Sequence, residues 1–161
     1  MDGPAANGGR TAGGARRGRQ DDWPERDRLI LSNGHITPIR YATMAHAGYF
    51  PLAELKTLRK FGSRLQGHPH REYMPWLETS SGPLGSGLSQ AVGMALADRI
   101  DRGAGTDKTI YALLSDGEHD EGNTWEAIML ASKEKLSNFK GYIFQISFLH
   151  KALRDGFVIG K

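Results

Sequence analysis

The sequence predicts an α/β fold: a parallel sheet flanked by helices. Thr109-Ile110-Tyr111-Ala112-Leu113-Leu114 is a continuous apolar run of strand length, the pattern of a strand buried on both faces. Before it, a glycine-rich stretch opens a helix whose Leu84, Leu88, Ala91, Ala95 and Leu96 share a face up to about Ile100. After it, Glu121 to Leu136 reads as a second helix, with Trp125, Ile128, Met129, Ser132 and Leu136 along it. Helix, strand, turn, helix is the rhythm of an open α/β sheet, which binds ligands at the carboxyl ends of its strands.

The remaining elements follow from local chemistry. Order is expected to begin near Asp22-Trp23-Pro24. Arg28 to Ser32 is a short apolar run ending at the Asn33-Gly34 turn signal, and so a strand. Thr37 to Ala47 reads as a helix with Pro38 in its first turn and Gly48 closing it. Pro51 to Phe61 reads as another, because Leu52, Leu55, Leu58 and Phe61 recur and Gly62 stops the pattern. Residues 67–81 are broken by Pro and Gly and read as irregular, and 102–107 read as a loop. Tyr142 to Leu149 offers a further strand.

Composition excludes several classes. The 161 residues fit one domain, and the absence of Cys excludes a disulfide scaffold, thiolate zinc, iron–sulfur clusters and thiol nucleophiles. Any metal must sit on oxygen or imidazole ligands. No apolar run approaches the roughly 18 residues of a membrane span. The net charge of +3 resides in residues 1–20, where Arg10, Arg16, Arg17 and Arg19 face Asp2 alone; the rest balances at 17 basic against 17 acidic. That Gly/Arg-rich stretch reads as a disordered tail rather than a nucleic-acid interface, having no aromatic residue before Trp23. It lacks the apolar stretch of a secretory signal and the Ser of a transit peptide, so a cytoplasmic location is expected.

The chemistry-bearing residues sit at element ends. Asp116-Gly117 directly follows the best strand. A carboxylate there could hold Mg²⁺ against phosphate oxygens, and the glycine would let backbone approach a phosphate. Asp-Gly is also a common turn, and spacing alone leaves both readings open. Gly82, Gly85 and Gly87 lack the Gly-Lys-Ser/Thr of a Walker loop and the Gly-x-Gly-x-x-Gly of a dinucleotide site. They suit a helix that starts close to a sheet. His35, His68 and His70 stand beside Gly or Pro in loops, where imidazole can donate to phosphate or hydroxyl oxygens. A His68/His70 metal pair has no third ligand at a matching spacing. His46 reads as structural, and His119 as part of a helix-start cluster with Asp120 and Glu121.

Singly these features decide little; their order decides more. Asp22-Trp23-Pro24 through Ser32-Asn33-Gly34-His35 resembles the stretch of transketolases that ends in a cofactor histidine. Ala47-Gly48-Tyr49-Phe50, Phe61 to Pro69 and Ser81-Gly82-Pro83-Leu84-Gly85-Ser86-Gly87-Leu88-Ser89 continue the resemblance in the same order. Ser115-Asp116-Gly117-Glu118-His119-Asp120-Glu121-Gly122-Asn123 looks like the family's Gly-Asp-Gly thiamine diphosphate motif, with Ser115 in place of the first Gly. The resemblance spans residues 22–138 and is strongest to the amino-terminal subunit of split transketolases. It divides the chain into a tail over 1–21, a diphosphate-binding domain over 22–138 and a divergent segment over 139–161.

The resemblance implies an incomplete thiamine diphosphate-binding fold and a set of roles. Asp116 would bind Mg²⁺ or Ca²⁺ bridging the cofactor's diphosphate, which Gly117 would touch. His35 would contact the diphosphate or the reacting substrate, and His68 the substrate hydroxyls; these two are the catalytic candidates. Gly82, Pro83 and Leu84 would line the aminopyrimidine, and Glu121 would reach towards a partner across a dimer interface. The implied reaction moves a two-carbon ketol unit from a ketose phosphate to an aldose phosphate. The implied partner is a pyrimidine-domain subunit, in a dimer or heterotetramer. Two departures stand against this. The family's Asn metal ligand falls at Ile146 and its carbonyl ligand at Phe148, and an Ile side chain offers no oxygen to a hard cation. Residues 1–21 carry no His, where the family has a further cofactor histidine. These predict a truncated or frameshifted product without activity by itself, or an inactive interaction module that keeps only the fold.

Overall fold

The structure is a computed structural model that describes residues 23–103, 105 and 107–144. Three strands, β1 (Arg28–Leu31), β2 (Ile110–Ser115) and β3 (Phe139–Phe144), form one sheet in the order β1-β2-β3. Both pairings are parallel, with Arg28 opposite Ile110 and Ile110 opposite Phe139. All carboxyl ends therefore lie along one edge. The helices are α1 (Thr37–His46), α2 (Ser86–Arg102) and α3 (Gly122–Lys133). Among the described residues, no helix is long and apolar enough to cross a membrane.

The main core lies where α2 and α3 pack on the sheet. Ile30, Leu88, Ala91, Val92, Ala95, Ile110, Ala112, Leu114 and Ala127 are buried together there. The predicted face of α2 is thus the observed one, although Leu84 precedes the helix and lies outside it. A second cluster gathers Tyr41, Met44, Ala45, Phe50, Leu65, Met74 and Leu77 beside it. Arg64 closes this cluster from the solvent side. Its guanidinium carbon lies 5.0 Å from the Trp76 ring and 5.6 Å from the Phe50 ring, and it makes a two-pronged pair with Glu54.

Four sequence expectations shift. The segment after Pro51 is a short 3-10 helix over Leu52–Thr57, not an α-helix to Phe61. Its apolar residues recur strictly every three positions, which matches the three residues per turn of that helix. Leu55 and Leu58 pack on the second cluster, whereas Leu52 and Phe61 stay exposed, and Arg59 takes φ 60°. Helix α3 ends at Lys133 because Lys135 adopts φ 50°, and Leu136 then folds back into the main core. The last strand starts at Phe139 rather than Tyr142, in register with β2, and residues 145–149 of the expected strand lie outside the described residues. His46, read as structural, is an exposed residue in the last turn of α1.

Two predictions follow from packing. Arg64→Ala is expected to cost about 1–2 kcal/mol by urea denaturation, the ion pair contributing the smaller share because both side chains reach solvent. The hydrogen bond from Arg64 holds the Glu54 carboxyl below its ordinary value of 4.5. A lowered carboxyl contributes stability above its unfolded value and loses it as pH falls through the folded one. The wild-type advantage over Arg64→Ala should therefore shrink on acidification below pH 4.5.

Candidate cofactor site at the carboxyl edge of the sheet

Chain leaving β1 turns through Ser32-Asn33-Gly34 into a single 3-10 turn, Gly34–Ile36, that carries His35. The Asn33 Oδ1 accepts from the His35 backbone N–H and lies 3.1 Å from the His35 Nδ1. A backbone N–H needs an acceptor, so that atom is the amide oxygen, and the imidazole must carry its proton on Nδ1. The Nε2 of a neutral His35 is then left as a proton acceptor. Against this ring sits His68, edge to face, with ring centroids 5.1 Å apart.

Glycines make that approach possible. A Cβ on Gly34 would lie 2.8 Å from the His68 Cδ2, and one on Gly82 would lie 3.6 Å from it. The Ser81 hydroxyl donates to the Leu31 carbonyl at 2.5 Å, tying the segment that leads to Gly82 to the end of β1. His35, His68 and Gly82 thus form one cluster. His70, by contrast, stacks at a tilt on Tyr73, and the described residues hold no group of three or more His, Asp or Glu side chains arranged for a metal.

At the end of β2, Ser115 leads into a 3-10 helix over Asp116–Asp120. Asp116 is half-buried, and its Oδ1 accepts from the Gly117 N–H at 3.0 Å. A Cβ on Gly117 would meet nothing within 4 Å, so open space lies beside this turn. Asp116 makes no hydrogen bond or ion pair to either histidine. Pro83 is exposed and Leu84 half-buried, and the Leu84 carbonyl accepts from the Asn123 Nδ2 at 3.2 Å. Glu121 is exposed at the entry to α3. The expected metal ligands at Ile146 and Phe148 lie outside the described residues. His119, expected in a helix-start cluster, lies in the last turn of the 3-10 helix, two residues before the Glu121 cap of α3, with its Nδ1 3.0 Å from the Ser115 carbonyl and its ring edge-on to Trp125.

Glu118 is the site residue that sequence reasoning missed. It is fully buried. Its Oε1 accepts from the Ser32 hydroxyl at 2.5 Å and the Gly85 N–H at 2.8 Å, and its Oε2 from the Ser115 N–H at 2.9 Å. The signal was present: Ser115-x-x-Glu118 is a capping box, and both of its reciprocal hydrogen bonds form. Ser115, which breaks the Gly-Asp-Gly pattern, supplies the other half of that box.

An Asp-Gly turn, two loop imidazoles and a glycine-lined helix start lie along the carboxyl edge of the sheet, where open α/β domains bind their ligands. The family described as "Transketolase, thiamine diphosphate binding domain" matches residues 15–143, and the chain belongs to it. The 6-deoxy-6-sulfo-D-fructose transketolase subunit SqwG of Clostridium sp. (strain MSTE9) is 46% identical over 116 residues, 72% of this chain and 41% of that subunit. The transketolase of Pongo abelii is also 46% identical over 116 residues, covering 71% of this chain and 18% of that protein. Among solved structures, the transketolase from Leishmania mexicana superposes with TM-score 0.71 at 35% identity, over 79% of this chain and 20% of that one. The chain thus spans less than half the length of each of these relatives.

The close approach of α2 to β1 generates a further prediction. A Cβ on Gly87 would lie 2.5 Å from the Ser32 Cα, so Gly87→Ala must push the helix off the strand. The expected cost is about 1–3 kcal/mol by urea denaturation. A change within about 0.5 kcal/mol, the range of a surface substitution, would mean that the helix does not start against the strand.

Proposed function

We propose that this chain is the diphosphate-binding section of a transketolase. It would hold thiamine diphosphate through a divalent cation and act on sugar phosphates together with a pyrimidine-binding section. One observation supports this above the others: residues from four separated motifs gather along one edge of the sheet, although their sequence positions run from 32 to 123. The donor set suits the group in part, since Ile146 offers no oxygen at the position where the resemblance places a second side-chain ligand. Asp116 offers the oxygen that Mg²⁺ or Ca²⁺ requires, and Gly117 offers backbone with open space beside it. Gly82 and Leu84 lie on the loop leading to α2, where an aminopyrimidine would rest, with Pro83 between them.

When bound, the cofactor supplies the carbon–carbon bond chemistry of ketol transfer. The residues of this chain bind and orient. His35, with its proton fixed on Nδ1 by Asn33, presents Nε2 as an acceptor towards a substrate hydroxyl. His68, packed on His35, offers a second imidazole to substrate hydroxyls. Asp116 would hold the divalent cation that offsets the diphosphate charge. Glu121, exposed at the start of α3, is placed for a contact with the partner section.

The test is titration of the chain with thiamine diphosphate, with and without Mg²⁺. Binding is expected to depend on Mg²⁺, and Asp116→Ala should weaken it by about tenfold or more, as loss of a metal-holding group does. Mg²⁺-independent binding, or binding indifferent to Asp116→Ala, would contradict the reading. Ketol transfer is expected only after a pyrimidine-binding section is added.

A further inference from the structure

We propose that Glu118 is a positioning residue that locks the three cofactor-facing loops into one body. The cofactor part of this inference rests on the function proposed above. A local helix cap needs only one of its carboxylate oxygens: the Oε2 accepts from the Ser115 N–H and completes the capping box. The other oxygen looks away from its own element. It accepts from the Ser32 hydroxyl, where β1 turns towards His35, and from the Gly85 N–H, at the end of the Gly82–Leu84 loop.

Each of those donors is itself committed. The Ser32 Oγ also accepts from the Leu88 N–H at 3.1 Å, so the first turn of α2 is fixed to the end of β1 through the same point. Gly85 holds φ 77°, and a Cβ there would overlap the side chain of Asn123. The Asn123 amide in turn holds the Leu84 carbonyl, and the Thr124 hydroxyl donates to the Glu118 carbonyl at 2.5 Å. Among the described residues, no Lys, Arg or His makes ion-pair contact with the carboxylate. A buried charge without a counter-ion adds little net stability over an apolar side chain, so its use here is to specify geometry. An apolar replacement would leave three buried donors unpaired.

Glu118→Gln discriminates this role from simple structural filling. The new amide has one acceptor oxygen, so its NH₂ must face either the Gly85 or the Ser115 N–H. Site-resolved amide exchange on the chain should show at least a tenfold loss of protection at Gly85 or Ser115, with Ala112 in mid-β2 changed by less than about twofold. Ser32→Ala, which removes one donor and spares the carboxylate, should deprotect Gly85 and Leu88 to a smaller extent. It decides the matter if Glu118→Gln does not fold. The dissociation constant for thiamine diphosphate with Mg²⁺ should rise about tenfold in Glu118→Gln. Uniform loss of protection, no loss, or selective loss with unchanged cofactor affinity overturns the proposal. If wild type itself fails to bind thiamine diphosphate, the functional reading falls, and the exchange pattern, which needs no cofactor, judges the loop lock separately.

Discussion

A single buried carboxylate holds this architecture at its working edge. Parallel strands end in backbone groups that the sheet no longer pairs, and the start of α2 brings more unpaired N–H groups to the same place. Glu118 collects three donors there, from the end of β1, the end of β2 and the residue before α2. Because the group is excluded from water, each of those hydrogen bonds is strong, and losing any one leaves a donor stranded. The position of His35, of the Gly82–Leu84 loop and of Asp116 all pass through this point.

Glycine makes the arrangement compact enough to serve. Gly87 lets α2 start in contact with Ser32, Gly34 admits the His68 ring, and Gly85 takes a left-handed conformation beside Asn123. The result is a sheet edge that carries the Asp116 carboxylate, an open glycine turn and two packed imidazoles. Under the function proposed above, such an edge would take an anionic ligand carried by a cation.

Much of this was legible in the residues. The continuous apolar run before Ser115 gave β2, and the period of α2 gave its buried face. The order of the Asn33-Gly34-His35, Gly67-His68-Pro69, Gly82–Gly87 and Asp116-Gly117 motifs gave a site whose histidines the fold does bring together. What escaped had physical causes. A strict three-residue repeat after Pro51 was read with a helical period of 3.6, although it suits a 3-10 turn equally well. The end of α3 depends on Lys135 adopting positive φ, which no residue type there announces. Glu118 hid inside a motif dominated by Asp116 and Gly117. Its partners, Ser32 and Gly85, are 86 and 33 positions away, and only its local pairing with Ser115 left a sequence mark.

The account is tested most directly by a crystal structure of the chain grown with thiamine diphosphate and Mg²⁺. The expected result places the metal on Asp116, the diphosphate beside Gly117 and within reach of His35, and the pyrimidine against Leu84. The Ser32 hydroxyl and the Gly85 and Ser115 N–H groups should all remain on the Glu118 carboxylate. A cofactor bound away from this edge, or bound here with Gly85 turned off Glu118, would contradict it.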